Sequence, residues 1–144
     1  MESLKDKVAI VGMGCTSFGE LWDKDPIDLI VDAASEAFED AGVEAKDIQA
    51  AWVGYTASDT AMTAIILSSA LQLQFIPVTR VENACGTGAE TIRGAVLGLA
   101  SKTYDLVLAV GWDKLKDAGL GELGKPTPAS GTLSTEQPRR SAAQ

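Results

Sequence analysis

In the stretch Val81-Glu-Asn-Ala-Cys85-Gly-Thr-Gly-Ala-Glu90, one cysteine stands where a β-branched run stops and a glycine-spaced helical pattern begins. A sulfur at a helix N-terminus lies near backbone N–H groups that lack helical partners, and that field favours the thiolate. Gly86 and Gly88 permit a sharp turn and let a bulky substrate come close to the backbone. Cys85 is therefore a candidate nucleophile. Its position alone equally suits a buried cysteine among packing glycines, since free cysteine is one of the most buried residue types. Arg80, Glu82 and Asn83 precede it in an extended segment that lines either a site or an interface.

The other chemistry-bearing features are weaker. The cluster "AIVGMGCTSFG" places Gly12-Met-Gly14 after a predicted strand, as a dinucleotide-binding fingerprint would. Cys15, Thr16 and Ser17 follow, however, and no helical pattern starts before Asp25, so a strand-ending loop is the better reading, with Cys15 as a buried small residue. Asp113, Lys114, Lys116 and Asp117 read as solvated loop charges. The sequence contains no histidine. That removes the usual general base at neutral pH and the commonest metal ligand, and with two isolated cysteines it argues against zinc. No cofactor is implied.

Composition narrows the class further. The 144 residues suit one domain with a real core, and a net charge of −8 argues against a nucleic-acid surface. No apolar run approaches the roughly 20 residues of a membrane span, and the acid-bearing N-terminus is a poor signal peptide. Cys15 and Cys85 form no CxxC pair, which fits a reducing, cytoplasmic compartment.

The elements that must position Cys85 follow from periodicity. "KVAIVGM" (7–13) reads as a buried strand. Asp25 caps a helix that opens on Pro26, repeats apolar residues from Ile27 to Ala41 and stops at Gly42. "AAWVGY" (50–55) is a second strand, and Asp59 or Thr60 caps a helix through "AMTAIILSSALQL". "FIPVTRVEN" (75–83) is a third strand, and its Pro77 predicts a sheet edge. "GTGAETIRGAVLGLASK" is a helix and "DLVLAVG" (105–111) a fourth strand. The alternation predicts an α/β fold with a mostly parallel sheet of about four strands, over residues 1–119. Residues 120–144 read as a flexible Gly/Pro/Ser/Thr-rich tail.

The helix after Cys85 carries only Glu90 and Arg93 as charges between Thr87 and Ser101. At about 100° per residue its apolar side chains cover most of the circumference, which predicts burial on more than one face. Gly94 and Gly98 leave a smooth strip. Each costs about 1 kcal/mol relative to alanine, so a close neighbour must compensate.

"VENACGTGAETIRGAVLGLA", the opening "KVAIVGMGCTSFGE", the helix end "AFEDAGVEAKDI" and "DLVLAVGWDKLKD" together resemble, in this order, the N-terminal half of the thiolase superfamily. The flavour is that of the sterol-carrier-protein thiolase and lipid-transfer-protein branch, of the acetyl-CoA acetyltransferase type. The resemblance covers about Lys7 to Leu120. It implies that Cys85 accepts an acyl group from an acyl-CoA substrate, with its own backbone N–H as a donor to the developing oxyanion. It also implies a homodimer through the strand around 75–83, or completion by a thiolase C-terminal half. The family's histidines, second cysteine and CoA-binding loop come later in its sequence, so the resemblance implies a chain inactive alone. A non-catalytic scaffold, and part of an acyl-CoA aldolase, are the competing readings.

Overall fold

The computed structural model describes residues 3–56 and 64–114. The predicted caps Asp59 and Thr60, the loop residues Lys116 and Asp117 and the segment 120–144 lie outside the described residues. Helix α1 (Pro26–Ala41) begins and ends where local chemistry dictates. The Asp25 carboxylate accepts the Asp28 N–H at 2.9 Å, and the Asp28 carboxylate accepts the Asp25 N–H at 2.9 Å. This reciprocal pair satisfies donors that a first helical turn leaves free. Gly42 closes the helix in the left-handed region, at φ +69°.

Strands β1 (Ala50–Gly54), β2 (Val78–Val81) and β3 (Val107–Gly111) form a parallel sheet in the order β2-β1-β3. Ala51 pairs with Val78 on one side and with Leu108 on the other; Gly54 pairs with Val81 and Gly111. Ala51, Val53, Leu108 and Val110 point into one core with Ile30 of α1 and with Ile66 and Leu67 of helix α2 (Ile65–Ala70). Burying Ile30, Val53 or Leu67 completely contributes roughly 1.5–3 kcal/mol each. Helix α3 (Thr87–Ala100) covers the opposite face, so the sheet lies between two helical layers.

Two expectations are corrected here. The sheet of the described residues has three strands, because "KVAIVGM" (7–13) joins no sheet pairing and its main chain bonds to no other strand. The segment is held by α1 instead. Met13 N–H donates to the Asp40 carboxylate at 3.0 Å and Cys15 N–H to the Glu36 carboxylate at 2.9 Å. Gly12 and Gly14 lie so close to α1 that a Cβ would stand 2.4 Å from the Ala37 carbonyl oxygen and 2.1 Å from that of Ala33. A cavity of about 430 Å³ separates this segment from β3, and Ile10, Val11 and Met13 remain exposed.

The second correction concerns α3, predicted to be buried on more than one face: it packs on the sheet but leaves Ile92 and Leu97 exposed. The close neighbour expected of Gly94 and Gly98 is present. It is the Trp52 indole of β1, whose Nε1 would stand 2.5 Å from a Cβ on Gly94 and whose Cη2 would stand 2.7 Å from one on Gly98. Trp52 meets the Tyr104 ring edge-on at 6.3 Å. Ile92 and Leu97, about 140° apart around the helix, are exposed on its two flanks, Ile92 toward the cavity that residues 8–14 line. Edge placement of "FIPVTRVEN" holds: β2 is a sheet edge, and Pro77 just before it contributes its carbonyl to the Ala51 N–H.

Candidate active site

All three strands run in the same direction, so their carboxyl ends share one rim of the sheet, the usual place for a ligand in such folds. That rim is braced by aromatic side chains. Tyr55, directly after β1, stacks on Trp112, directly after β3, with ring centroids 4.7 Å apart. The Arg80 guanidinium of β2 lies 4.1 Å from the Tyr55 ring centroid, a cation–π contact, and its Nη2 donates to the Tyr55 carbonyl at 3.4 Å. The Thr56 N–H donates to the exposed Asp113 carboxylate at 3.3 Å. Lys114, read from sequence as a solvated charge, instead anchors the preceding loop. Its Nζ donates to the Leu21 carbonyl at 2.9 Å and to that of Lys24. The Trp112 indole N–H is buried without a partner among the described residues.

Cys85 sits on this rim, in a single 3₁₀ turn (Ala84–Gly86) that joins β2 to α3. It is a free and exposed thiol. The turn consumes the amides around it. Ala84 N–H donates to the Glu82 carboxylate at 2.6 Å, Gly86 N–H to the Asn83 carbonyl at 2.8 Å, and Thr87 N–H to the Ala84 carbonyl. The Cys85 N–H makes no hydrogen bond within the described residues. One donor therefore stays open beside the sulfur. Ala84 adopts φ +44°, the left-handed region, which costs a non-glycine residue roughly 1–2 kcal/mol. The result is a strained strand-to-helix corner with an exposed sulfur, similar in shape to a nucleophile elbow.

Packing beneath the corner fixes its height. The first turn of α3 rests on Gly54 at the end of β1, where a Cβ would lie 2.3 Å from Thr91 Oγ1 and 2.7 Å from Thr87 Cγ2. Thr87 and Thr91 are both buried. Sequence reasoning singled out Cys85, Arg80, Glu82 and Asn83 but missed Tyr55, Trp112, Thr87 and Gly54. An aromatic residue closing one predicted strand and another directly after a second was the signal available for Tyr55 and Trp112.

Cys15 is exposed rather than a buried small residue, and its loop lines a pocket that reaches Gly111, Trp112, Asp113 and Lys114 at the β3 end of the rim. The same loop lines a shallow acidic depression with Glu36, Glu39 and Asp40. No helix follows Gly14 until Pro26, so the first glycine cluster presents no helix N-terminus to a pyrophosphate. Among the described residues, no group of three or more His, Cys, Asp or Glu side chains is placed to hold a metal ion. No helix of the described residues is long and apolar enough to cross a membrane.

Residues 8–129 match the family model for the thiolase N-terminal domain. The chain is 38% identical over 134 residues to an acetyl-CoA acetyltransferase of Methanothermobacter thermautotrophicus, covering 90% of this chain and 34% of that protein. It is 33% identical over 132 residues to non-specific lipid-transfer protein-like 2 of Caenorhabditis elegans, covering 88% of this chain and 31% of that one. It thus spans about a third of the length of these relatives. The crystal structure of 3-oxoacyl-[acyl-carrier-protein] synthase III from Aquifex aeolicus superposes with a TM-score of 0.63 at 13% identity, over 75% of this chain and 45% of that one, a likeness of fold. With the parallel sheet, the covering helices and the family match in agreement, the chain belongs to the thiolase family and carries its N-terminal domain.

Proposed function

We propose that this chain is the nucleophile-bearing portion of a thiolase-like acyl-CoA acyltransferase of the acetyl-CoA acetyltransferase type. The observation that carries the reading is the exposed Cys85 at the β2–α3 corner with its own N–H open beside it. The sulfur attacks the thioester carbonyl carbon, and the carbonyl oxygen gains charge within reach of that amide. The carbon–sulfur bond to CoA then breaks. The thiol proton given up by Cys85 is matched by the proton taken up by the leaving CoA thiolate, leaving an acyl-cysteine.

The sequence offers no histidine for these proton transfers. In this reading they come from a complementary segment, the part of the family's length that the chain does not span. The exposed Ile92, which lines the cavity facing residues 8–14, and the exposed Leu97 on the other flank of α3 support such a completion, because both are left partly uncovered. The edge strand β2, preceded by the fully exposed Phe75, supports a second copy pairing along the 75–83 strand.

The test is incubation with acetyl-CoA, alone and with the C-terminal two thirds of the Methanothermobacter thermautotrophicus relative, followed by intact-mass and peptide analysis. One acetyl group on Cys85, absent from the Cys85→Ala variant, is the expected result. No adduct in either mixture sinks acyl transfer and leaves the non-catalytic scaffold as the better account. Turnover in the chain alone is expected to be at background.

A further inference from the structure

We infer that Thr87 is the positioning residue of the Cys85 corner, aiming the Cys85 amide at the oxyanion through the peptide bond it shares with Ala84. The inference deepens the acyl-transfer reading and rests on it. Thr87 is 6% exposed, and its hydroxyl does two jobs. It accepts the Asn83 N–H at 2.8 Å and donates to the Ala84 carbonyl at 2.7 Å. The Thr87 main-chain N–H donates to that same carbonyl. Two donors from one buried residue therefore pull the Ala84 C=O inward.

Across a trans peptide the C=O and the following N–H point in opposite directions. No peptide in the described chain is cis, so an inward Ala84 carbonyl obliges the Cys85 N–H to face outward. This is the amide left without a partner, while those of Ala84, Gly86 and Thr87 are all engaged. The same two contacts hold Ala84 at φ +44°, a conformation alanine does not adopt unaided. Thr87 is itself held by the Thr91 hydroxyl, which donates to its carbonyl at 2.9 Å, and by Gly54 beneath it.

Two reactions at the same sulfur separate positioning from mere folding. Acylation by p-nitrophenyl acetate develops an oxyanion and needs the aimed amide, whereas alkylation by iodoacetamide develops none. In the full chain, Thr87→Val is expected to slow acetylation of Cys85 by about tenfold or more, the scale of a misplaced oxyanion donor. Alkylation should change by less than about threefold, and Thr87→Ser should restore acetylation. Equal slowing of both reactions, no slowing of either, or failure of the serine to rescue overturns the inference. Amide exchange in the unsubstituted chain gives a reading that needs no variant. The Cys85 N–H should exchange faster than those of Gly86 and Thr87, and equal protection overturns the inference too. If acetyl-CoA leaves Cys85 untouched while p-nitrophenyl acetate shows this selectivity, the proposed substrate fails and the role of Thr87 stands.

Discussion

The two cysteines occupy loops that look alike in sequence and differ in physics. Cys15 and Cys85 each follow a β-branched run, each has glycines beside it, and each is exposed. At Cys15 the amide is spent on the Glu36 carboxylate, two further acids line the depression, and the next helix begins at Pro26. At Cys85 the amide is open and α3 begins two residues later. Exposure is common to both thiols. What differs is whether the surrounding main chain is arranged to meet a developing negative charge. A thiol becomes a site through its neighbouring dipoles, and these are set by the turn, not by the cysteine.

The sharpest way to break the contrast is to disturb what each corner rests on. Gly54→Ala forces a Cβ against Thr91 Oγ1 and Thr87 Cγ2, short side chains in a central strand–helix contact with no room to yield. It should cost about 1–3 kcal/mol in denaturant unfolding, and slow acylation of Cys85 while leaving Cys15 unchanged. Gly14→Ala meets the Ala33 carbonyl. Because its segment joins no strand, the clash can be relieved by shifting off α1 at the cost of the adjacent Cys15–Glu36 hydrogen bond. The expected loss is about 0.5–1.5 kcal/mol, one hydrogen bond's worth, with Cys15 altered and Cys85 unaffected. A reversal of this order would show that the segment 7–14, not the β1–α3 contact, supports the rim.

Reactivity in the unsubstituted chain is the next test. Iodoacetate is an anion, so the helix start at Cys85 attracts it and the carboxylates of Glu36, Glu39 and Asp40 repel it from Cys15. Peptide mapping of a short exposure should find Cys85 modified faster by roughly two- to thirtyfold, the range of helix-terminus effects. Uncharged iodoacetamide should narrow the gap. Equal rates with both reagents would remove the electrostatic distinction drawn above.

A smaller effect is expected from the cap of α1, which carries the Cys15 loop. Asp25→Ala removes the acceptor for the Asp28 N–H and should lower stability by about 1 kcal/mol in a thermal or denaturant melt. Neither cysteine's alkylation rate should move, because α3 and its corner do not depend on that cap.

How much of this was legible in the residues follows from how local each signal is. Helix α1 could be read to the residue, since its cap, its proline and its terminal glycine act within a turn of one another. Strands β1 and β3 and the edge position of β2 were legible from β-branching and Pro77. The segment 7–13 was not. β-branching reports that a run prefers to be extended and apolar, not which edge will receive it. Here α1 carboxylates took the amides of Met13 at its end and of Cys15 just beyond. Cys85 was visible as a candidate, but its open amide was not, because that depends on Ala84 entering a region alanine avoids. The role of Thr87 was hidden for the same reason. Trp52 as the partner of Gly94 and Gly98 required knowing that two segments about forty residues apart would face each other.

The smallest predicted effect separates the two regions by pH. Near the Cys15 loop, Lys24 donates to the Asp32 carboxylate; this hydrogen bond, then the charge itself, holds its ammonium above the ordinary 10.5. On α3, Glu90 similarly holds the Arg93 guanidinium above its ordinary value, across a contact of 2.6 Å. A cation whose folded value is raised contributes stability fully below its unfolded value and loses it as pH climbs through the folded one. The Lys24 contribution is thus complete at pH 7 and fades only above pH 10.5, while that of Arg93 persists through the same window. Both pairs are solvent-exposed and screened by salt, so each difference is small. Melting of Lys24→Met against the unsubstituted chain should show a slight deficit at neutral pH that closes in strong alkali, whereas Arg93→Met should keep its deficit. A Lys24 deficit that grew with pH would contradict the sign of this linkage, and with it the assignment of Asp32 as the partner that matters.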